Sequence, residues 1–150
     1  MNGLMNFFEE KISPAMMKFA SNRYLNVLRN GMILSMPILI VGSMILVIAE
    51  LPIPIYQEFM VDTFGEGWKW FSGATVTASM GITALIANLG ISYNLAKSRE
   101  EDGLSAAVLS ISAYFILMVQ LEGGGFNVAD FGAKGLFTTI FVAFISSEIY

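Results

Sequence analysis

The sequence predicts an all-α integral membrane protein, because the chain is too apolar and its charges too unevenly placed for a soluble globule. Hydrophobic residues make up 55% of its 150 residues and charged residues only 13%, whereas a soluble domain usually carries about 25% charged side chains. The mean hydropathy is +0.66. All charged residues avoid four stretches, at 31–49, 70–96, 104–121 and 135–147. The alternative, a set of buried helices in a larger soluble protein, leaves too little chain to cover them.

Composition also excludes several classes of function. The net charge of −4 and the pI near 4.7 argue against nucleic-acid binding, which needs clustered lysine and arginine. The chain has no cysteine and no histidine, so it lacks a thiol nucleophile, a thiolate metal site and the commonest general base. No HExxH, GxSxG or GxGxxG pattern occurs. We therefore predict no catalytic residue, no metal site and no cofactor in this chain.

The lengths of the apolar stretches predict the number of transmembrane helices. A bilayer core about 30 Å thick needs roughly 20 apolar residues in a helix. The first three stretches meet that length, and the fourth reaches Glu148 after 13 residues. The prediction is three complete transmembrane helices plus a fourth cut by the chain end. They form an N-terminal transmembrane domain at 31–150, which follows a cytoplasmic amphipathic segment at 1–30.

The segment at 1–30 is predicted to form a pair of amphipathic surface helices. Asn6 and Glu9 have the spacing of a capping box, and Ser13-Pro14 favours the start of a second helix because proline is tolerated in a first turn. Apolar residues recur at helical spacing: Leu4, Phe8, Ile12, Ala15 and Phe19. Two placements stay open, a helix lying on the cytoplasmic leaflet and a short helix packed against its own bundle.

The first span, at 31–49, contains two features that affect its path. Pro37 lies two residues after Ser35, and proline kinks a helix because it lacks an N–H and clashes with the preceding turn. Packing geometry is a commoner reason for such a kink than a moving part, and both stay open. Gly42 and Ser43 are small enough to let another helix approach closely.

The connection at 50–69 is predicted to be an outer-face loop that rests on the membrane interface. It and the start of the next span contain prolines and the aromatic residues found at headgroup depth: Pro52, Pro54, Tyr56, Phe59, Trp68 and Trp70. Carboxylates recur there at four-residue spacing, at Glu58, Asp62 and Glu66. They allow a cation site or a solvated acidic face, and the second is favoured because no aspartate-rich loop pattern accompanies them.

The second span is the least lipid-like of the four. Gly73, Thr77 and Gly81 form a stripe of small residues at four-residue spacing, with Ala74 and Ala78 beside it. Such stripes allow close helix contact, because packing rather than hydrophobicity drives helix association in a membrane. This helix is therefore predicted to lie inside the bundle or at a subunit interface.

Polar residues in the second span allow two interpretations. Asn88 lies within the apolar stretch, and Tyr93 and Asn94 lie at its cytoplasmic end. A polar group at membrane depth is a functional candidate. A hydrogen bond between helices is the simpler explanation and is favoured.

The third span, at 104–121, has a recognisable start and end. Asp102 is placed to cap its first turn, because aspartate accepts hydrogen bonds from first-turn amides. Three glycines at 123–125 end the span with a flexible external turn. No Gly-Lys-Ser/Thr follows them, so they are not predicted to hold phosphate.

The distribution of lysine and arginine predicts the orientation. Two basic residues, Lys69 and Lys134, lie on one side of the membrane, and six lie on the N-terminal side: Lys11, Lys18, Arg23, Arg29, Lys97 and Arg99. The N-terminus is therefore predicted to be cytoplasmic. No cleavable signal peptide is expected, because Glu9 and Glu10 precede an apolar stretch that begins only at residue 31.

Several segments together resemble the membrane component, called IIC, of bacterial sugar phosphotransferase systems, in particular the lactose/cellobiose/diacetylchitobiose type. They are FEEKISP at 8–14, SNRYL at 21–25, RNG at 29–31, MPILIVGS at 36–43, ISYNLA at 91–96, GLSAA at 103–107, KGLF at 134–137 and SEIY at 147–150. None of these is a catalytic signature alone. Their order and spacing across essentially the whole chain make the resemblance specific.

The resemblance implies a dimeric, multi-pass sugar transporter of the bacterial cell membrane that works with the cytoplasmic phosphocarrier proteins IIB and IIA. It also implies that N-terminal helices, here such as 73–85, build the subunit interface. The sugar pocket of the family, with its histidine and glutamate, lies in a C-terminal half that this sequence lacks, so no substrate-binding residue is assigned here. In the family the phosphate reaches the sugar from a cysteine of IIB, so this chain is not expected to carry a phosphoryl group.

Three functions stay open from the sequence. The favoured one is the N-terminal scaffold and dimerisation half of a phosphoenolpyruvate-dependent permease for β-disaccharides. The second is a self-standing small membrane accessory protein without transport activity. The third, an intramembrane enzyme, has the least support, because no nucleophile–base pair and no metal-binding set is visible in the sequence.

Overall fold

The structure is a computed structural model that describes residues 12–121, 123, 125 and 127–150. Regular structure in this part of the chain is helical, without a β-strand, which confirms the predicted all-α class. Its α-helices are α1 Ser13–Ala20, α2 Arg23–Ile33, α3 Met36–Ala49, α4 Pro54–Phe64, α5 Trp70–Ser79, α6 Thr83–Lys97, α7 Gly103–Leu121 and α8 Leu136–Ile149. Short 3₁₀ turns occur at Met80–Ile82, Val128–Phe131 and Ala133–Gly135. The predicted capping box of Asn6 and Glu9 lies outside the described residues.

Two helical segments of the described chain are long and apolar enough to cross a membrane. The first is Arg23–Ala49, with 27 residues and a mean hydropathy of 2.6, and the second is Trp70–Lys97, with 28 residues and a mean hydropathy of 1.5. α7 contains a shorter apolar stretch, Gly103–Val119, and α8 has 14 residues. Length and apolarity of the described helices thus support two spans and do not by themselves confirm the predicted number.

The kink predicted at Pro37 is confirmed as a break between α2 and α3. α2 ends at Ile33, and α3 begins at Met36 with Pro37 in its first turn. The Ser35 hydroxyl donates to the Met32 carbonyl at 2.7 Å. The hydroxyl therefore engages a carbonyl that the end of α2 exposes.

The connection after α3 is not the loop that the sequence predicted, because it contains α4. Pro54 lies in the first turn of this helix, a position that suits proline because the N–H is not needed there. The Gln57 side chain donates to the carbonyls of Ala49 and Leu51, at 3.2 and 3.0 Å, and ties α4 to the end of α3. Gly65, with a φ of 85°, follows the last residue of the helix. The prediction took proline as a loop residue, whereas here it starts a helix.

The second span is broken rather than continuous. α5 ends at Ser79, a 3₁₀ turn follows, and α6 begins at Thr83. The Ser79 hydroxyl donates to the Thr75 carbonyl at 2.6 Å, and the Thr83 hydroxyl donates to the Met80 carbonyl at 2.9 Å. Hydroxyls that bond back to the preceding turn bend and loosen helices, so this cluster accounts for the break without a proline.

The stripe of Gly73, Thr77 and Gly81 does not bring another helix of this chain close. A Cβ atom added to Gly73 would meet nothing within 4 Å, and one added to Gly81 would meet only the Thr77 side chain. Gly73 and Thr77 are exposed. Of the two predicted locations, the bundle interior is observed for the second half of this span, α6, which contacts α2, α7 and α8, whereas the stripe in the first half faces open space in the described chain. The reason is that close packing depends on what lies opposite, which a run of small residues does not specify.

Close helix contact occurs at other glycines. Gly31 of α2 meets Gly90 and Ile91 of α6 so closely that a Cβ atom on either glycine would overlap the backbone of the partner helix. A Cβ atom on Gly42 of α3 would overlap the Ser79 side chain of α5, which confirms the predicted close approach at Gly42. These contacts pair α2 with α6 and α3 with α5, so the two long segments run antiparallel and side by side.

α6 is the centre of the packing, since it contacts α2, α7 and α8. One cluster of buried side chains consists of Val27, Ile91, Leu95 and Ala143. A second consists of Ala84, Tyr114 and Met118. α6 and α8 run parallel. Thr139 near the start of α8 donates to the Ala84 carbonyl near the start of α6 at 3.1 Å, and Ala143, further along α8, packs with Ile91 and Leu95, further along α6.

Candidate functional site

The carboxylates of α4 and the turn after it do not form a metal site. Glu58, Asp62 and Glu66 are exposed, as expected for a solvated acidic face. The described residues contain no group of three or more His, Cys, Asp or Glu side chains that could hold a metal ion. The features with functional potential are the two ends of the bundle, a set of buried polar side chains and the turns that precede α8.

One end of the bundle collects basic residues. Arg23, at the start of α2, donates from Nε to Ser98 Oγ at 2.8 Å. Arg99 pairs with Glu148 near the end of α8. The start of α2, the turn between α6 and α7 and the end of α8 therefore lie at the same end, which we call the basic end.

Asp102 caps α7, as the sequence predicts. Its two carboxylate oxygens accept hydrogen bonds from the backbone N–H groups of Leu104 at 3.2 Å and Ser105 at 3.3 Å, and the Ser105 hydroxyl also donates to the carboxylate. These three donors hold the pKa of the Asp102 carboxyl below its usual range, and the Ser105 hydroxyl makes the largest contribution. The cause is that all three donors stabilise the charged form.

The opposite end of the bundle carries aromatic side chains. The Tyr56 ring packs edge-on against the buried Trp68 ring, with centroids 6.2 Å apart, and Trp70 is 76% exposed. Lys69 pairs with Glu50 at 3.3 Å. Tyrosine and tryptophan are enriched at headgroup depth, so this end, which we call the aromatic end, has the composition of a membrane interface.

Polar side chains are also buried on the packed helices α6, α7 and α8. Four of them have no exposed surface and make no hydrogen bond to any described residue: Asn88, Ser92, Ser110 and Ser147. The predicted hydrogen bond from Asn88 to another helix is therefore not observed. Asn94 instead donates to the Gly90 carbonyl of its own helix at 2.7 Å.

The turns before α8 carry a pair of opposite charges, and they hold Lys134 beside the middle of α7 rather than at the outer end of the bundle, where the predicted orientation counts it. Tyr114 of α7, which is fully buried, donates its hydroxyl to the Asp130 carbonyl at 2.6 Å. Lys134 Nζ lies 3.4 Å from Asp130 Oδ1. The sequence signal for this pair is the four-residue spacing of two opposite charges.

Glycines hold these turns in place. Gly135 lies so close to the Asp130 carbonyl and the Tyr114 hydroxyl that a Cβ atom would overlap both. A Cβ atom on Gly132 would lie 3.0 Å from the Met80 carbonyl. The turns therefore pack between the middle of α7 and the break in the second span. α8 begins directly after these turns and runs to Ile149, the last residue but one, so the fourth helix cut by the chain end stays a prediction.

Comparison with known proteins gives matches over the whole chain. The family model described as "Phosphotransferase system, EIIC" matches residues 29–150. A putative permease IIC component, YwbA, of Bacillus subtilis (strain 168) is 42% identical, and the match covers 100% of this chain and 37% of that protein. The lichenan permease IIC component of the same organism is 38% identical, and the match covers 100% of this chain and 36% of that protein.

A solved structure is similar in both sequence and fold. The crystal structure of the transporter ChbC, the IIC component from the N,N'-diacetylchitobiose-specific phosphotransferase system, has a TM-score of 0.87 and 37% identity. The match covers 96% of this chain and 36% of that chain. This chain thus spans little more than a third of the length of these relatives. The resemblance seen in the sequence is confirmed, and the chain belongs to the phosphotransferase system EIIC family.

Proposed function

We propose that this chain is the N-terminal scaffold and dimerisation part of a bacterial phosphoenolpyruvate-dependent sugar permease for β-disaccharides such as cellobiose, diacetylchitobiose or lactose. One observation carries the proposal: proteins that match the full length of the chain are permease components, among them the lichenan permease. The cellobiose-specific EIIC component of Geobacillus stearothermophilus is a further relative, at 36% identity. The similarity to diacetylchitobiose-specific ChbC favours the same class of sugar.

The sugar-binding residues are proposed to lie outside this chain. The sequence contains neither a histidine nor a cysteine that would hold a phosphoryl group. The contribution of this part is to anchor the protein in the bilayer and to provide a packed set of helices. Its partners in the whole protein are the sugar and the cytoplasmic proteins IIB and IIA, which deliver the phosphoryl group.

The basic end of the bundle is proposed to be cytoplasmic, and the N-terminus with it. Arg23 and Arg99 lie there, and the positive-inside rule favours the cytoplasm for such an end. α7, with 19 residues, is about 28 Å long at 1.5 Å per residue, close to the thickness of a bilayer core. This length supports three complete transmembrane helices in the domain at 31–150, with α8 as a fourth and shorter membrane segment.

Of the predicted surface segment at 1–30, the part up to the end of α1 is proposed to lie on the cytoplasmic leaflet, whereas residues 23–30 belong to α2, whose Val27 packs in the core. Met16 is 65% exposed and Met17 is 68% exposed, so these apolar side chains of α1 do not pack on the bundle. Lys18 is exposed beside them. Apolar side chains next to a cation suit the boundary between acyl chains and anionic head groups.

α5 is proposed to contribute to a homodimer. Its outward face, at Gly73 and Thr77, carries only small side chains and has open space beside it. Membrane helices approach most closely where their facing residues are small. A second copy of the chain is therefore the proposed neighbour of this face.

Transport by a chimera tests the proposed function. This chain replaces the corresponding third of the lichenan permease in a strain that lacks the permease. Uptake of labelled β-disaccharide is measured in membrane vesicles loaded with the cytoplasmic phosphocarrier proteins, with and without phosphoenolpyruvate. We expect uptake that depends on phosphoenolpyruvate from the chimera and none from this chain alone. The same chimera with Gly90→Leu, which blocks the contact between α2 and α6, is the control for folding.

Two outcomes of this experiment would contradict the proposal. A chimera that reaches the membrane in normal amount but takes up no sugar would contradict membership of this chain in a sugar-transporting unit. Uptake by this chain alone would instead contradict the location of the sugar pocket outside it.

A further inference from the structure

The turns before α8 lie deep in the membrane in the arrangement proposed above, on which this inference rests. The Asp130 carbonyl accepts the Tyr114 hydroxyl at 2.6 Å, and Tyr114 is 11 residues beyond Gly103, where α7 begins at the basic end. At 1.5 Å per residue, this is about 16 Å from that end, roughly half the thickness of the bilayer core. The chain therefore returns into the membrane before α8 begins.

A second helix gives a similar depth. Gly132 packs against the Met80 carbonyl in the break of the second span, and Met80 is 10 residues beyond Trp70. The exposed Trp70 ring lies at the aromatic end, which has the composition of a membrane interface. The turns thus lie about 15 Å from that residue along the helix. The two distances, measured along helices from opposite ends of the bundle, place the turns at the same depth.

Lys134 is exposed at this depth. Its side chain is 69% exposed, whereas the side chain of its partner Asp130 is 13% exposed. A lysine head group that faces hydrocarbon near the bilayer centre is strongly unfavourable, and such residues face the bundle interior or a water-filled cavity. Backbone that leaves the α-helix at membrane depth is likewise tolerated only where protein buries it or where it lines a cavity.

We propose that the face of these turns that carries Lys134 lines a water-filled vestibule, which opens toward the aromatic end of the bundle. The turns follow the end of α7 that is remote from the basic end, so water reaches the pair of Asp130 and Lys134 from the outer side of the membrane. The Asp130 carboxylate supplies a fixed negative charge in the wall of the vestibule, and Lys134 balances it.

Thiol labelling tests the vestibule, because these 150 residues contain no cysteine and any cysteine elsewhere in the protein is first replaced by serine. Lys134→Cys is introduced into the protein at its natural length and compared in intact cells with two controls. Thr63→Cys lies on exposed α4, and Ile145→Cys replaces a side chain of α8 that is 58% exposed and apolar. The reagent is sulfonatoethyl methanethiosulfonate, which does not cross membranes.

We expect Lys134→Cys to be modified to the same extent as Thr63→Cys, and Ile145→Cys to stay unmodified. A Lys134→Cys protein that resists the reagent as Ile145→Cys does would overturn the vestibule, because lipid or another protein segment then covers the site. Labelling that occurs only in inverted vesicles would overturn its outward opening. Either failure would leave the sugar uptake of the chimera unaffected, so it is distinguishable from failure of the proposed function.

The charge of the reagent tests the role of Asp130. In Lys134→Cys the Asp130 carboxylate has lost its partner, so a cationic trimethylammonioethyl reagent is expected to react about tenfold faster than the anionic one, relative to Thr63→Cys. Lys134→Cys combined with Asp130→Asn is expected to lose this preference while remaining accessible. If the single and the double variant showed the same preference for the cationic reagent, the placement of Asp130 in the wall of the vestibule would be overturned.

Discussion

Asn94 and Asp102 find hydrogen-bond partners close to themselves in the chain, whereas Asn88 does not. Asn94 donates to the Gly90 carbonyl, and Asp102 accepts from the first turn of α7. Asn88 is fully buried in α6 and has no partner among the described residues. Local hydrogen bonds are predictable from sequence because both partners are neighbours in the chain. The surroundings of Asn88 come from helices far away in the sequence.

The Asp102 cap leads to a prediction about pH. The pKa of its carboxyl lies below the usual range in the folded chain. The charged cap therefore stabilises the fold above the usual pKa of aspartate, and this stabilisation is lost as the pH falls through the lowered pKa. Asp102→Ala is expected to lower the melting temperature in detergent near neutral pH, and the difference is expected to shrink as the pH falls through the lowered pKa of the Asp102 carboxyl.

Two variants serve as controls for the cap. Asp102→Asn keeps a side-chain oxygen that accepts from the amides, so it is expected to lose less stability than Asp102→Ala. Glu101→Ala removes a neighbouring exposed carboxylate that caps nothing, and its melting temperature is expected to stay unchanged. A loss of stability in Asp102→Ala that persists undiminished in acid would show that the charge of the cap is not its source.

At the scale of the helices, both long membrane segments are broken, but for different reasons. The break between α2 and α3 follows from Pro37, and the missing N–H of proline is a property of one residue, so the sequence predicts it. The break between α5 and α6 coincides with the hydroxyls of Ser79 and Thr83. A hydroxyl bonds back to the helix only in some rotamers, and neighbouring helices select the rotamer.

Two glycines on the same span are expected to respond differently to leucine. Gly90→Leu is expected to destabilise the fold by at least about 2 kcal/mol, because overpacking a tight contact typically costs about 1–3 kcal/mol and the atoms it meets are backbone. Gly73→Leu, which faces open space, is expected to leave the melting temperature unchanged and to reduce cross-linking between two copies. Thermal unfolding and cross-linking in detergent measure the two effects.

The two variants control for each other. An unchanged melting temperature of Gly90→Leu would contradict the contact between α2 and α6. Undiminished cross-linking of Gly73→Leu would count against α5 as the face of a dimer. A loss of stability in Gly73→Leu would mean that the stripe packs within one chain after all.

At the scale of the whole molecule, the chain has a basic end and an aromatic end, and their orientation is testable with reporter fusions. Alkaline phosphatase, which is active only outside the cytoplasm, is fused after residue 60 in α4 or after residue 100 in the turn that follows α6. We expect activity after residue 60 and none after residue 100, because basic residues are retained in the cytoplasm. Green fluorescent protein at the same positions should give the opposite pattern. Phosphatase activity at residue 100 alone would refute the orientation.

The properties that follow from residue chemistry are already present in the linear sequence. Apolar content and the spacing of charges predict a membrane protein of α-helices, Pro37 predicts a break, and Asp102 predicts a cap. The pattern of short segments is also sufficient to identify the family, because relatives share residues in order whatever those residues contact. Each of these inferences needs one residue, its neighbours in the chain, or a count.

Other properties arise only when distant segments meet. Three features were not predictable: the helix α4, the return of the chain to the middle of α7 before α8, and close helix contact at Gly90 rather than at Gly73. Each depends on a partner many residues away, as when Tyr114 holds the Asp130 carbonyl. Small or polar residue types permit such contacts, but the shape of the opposite surface selects among the permitted sites.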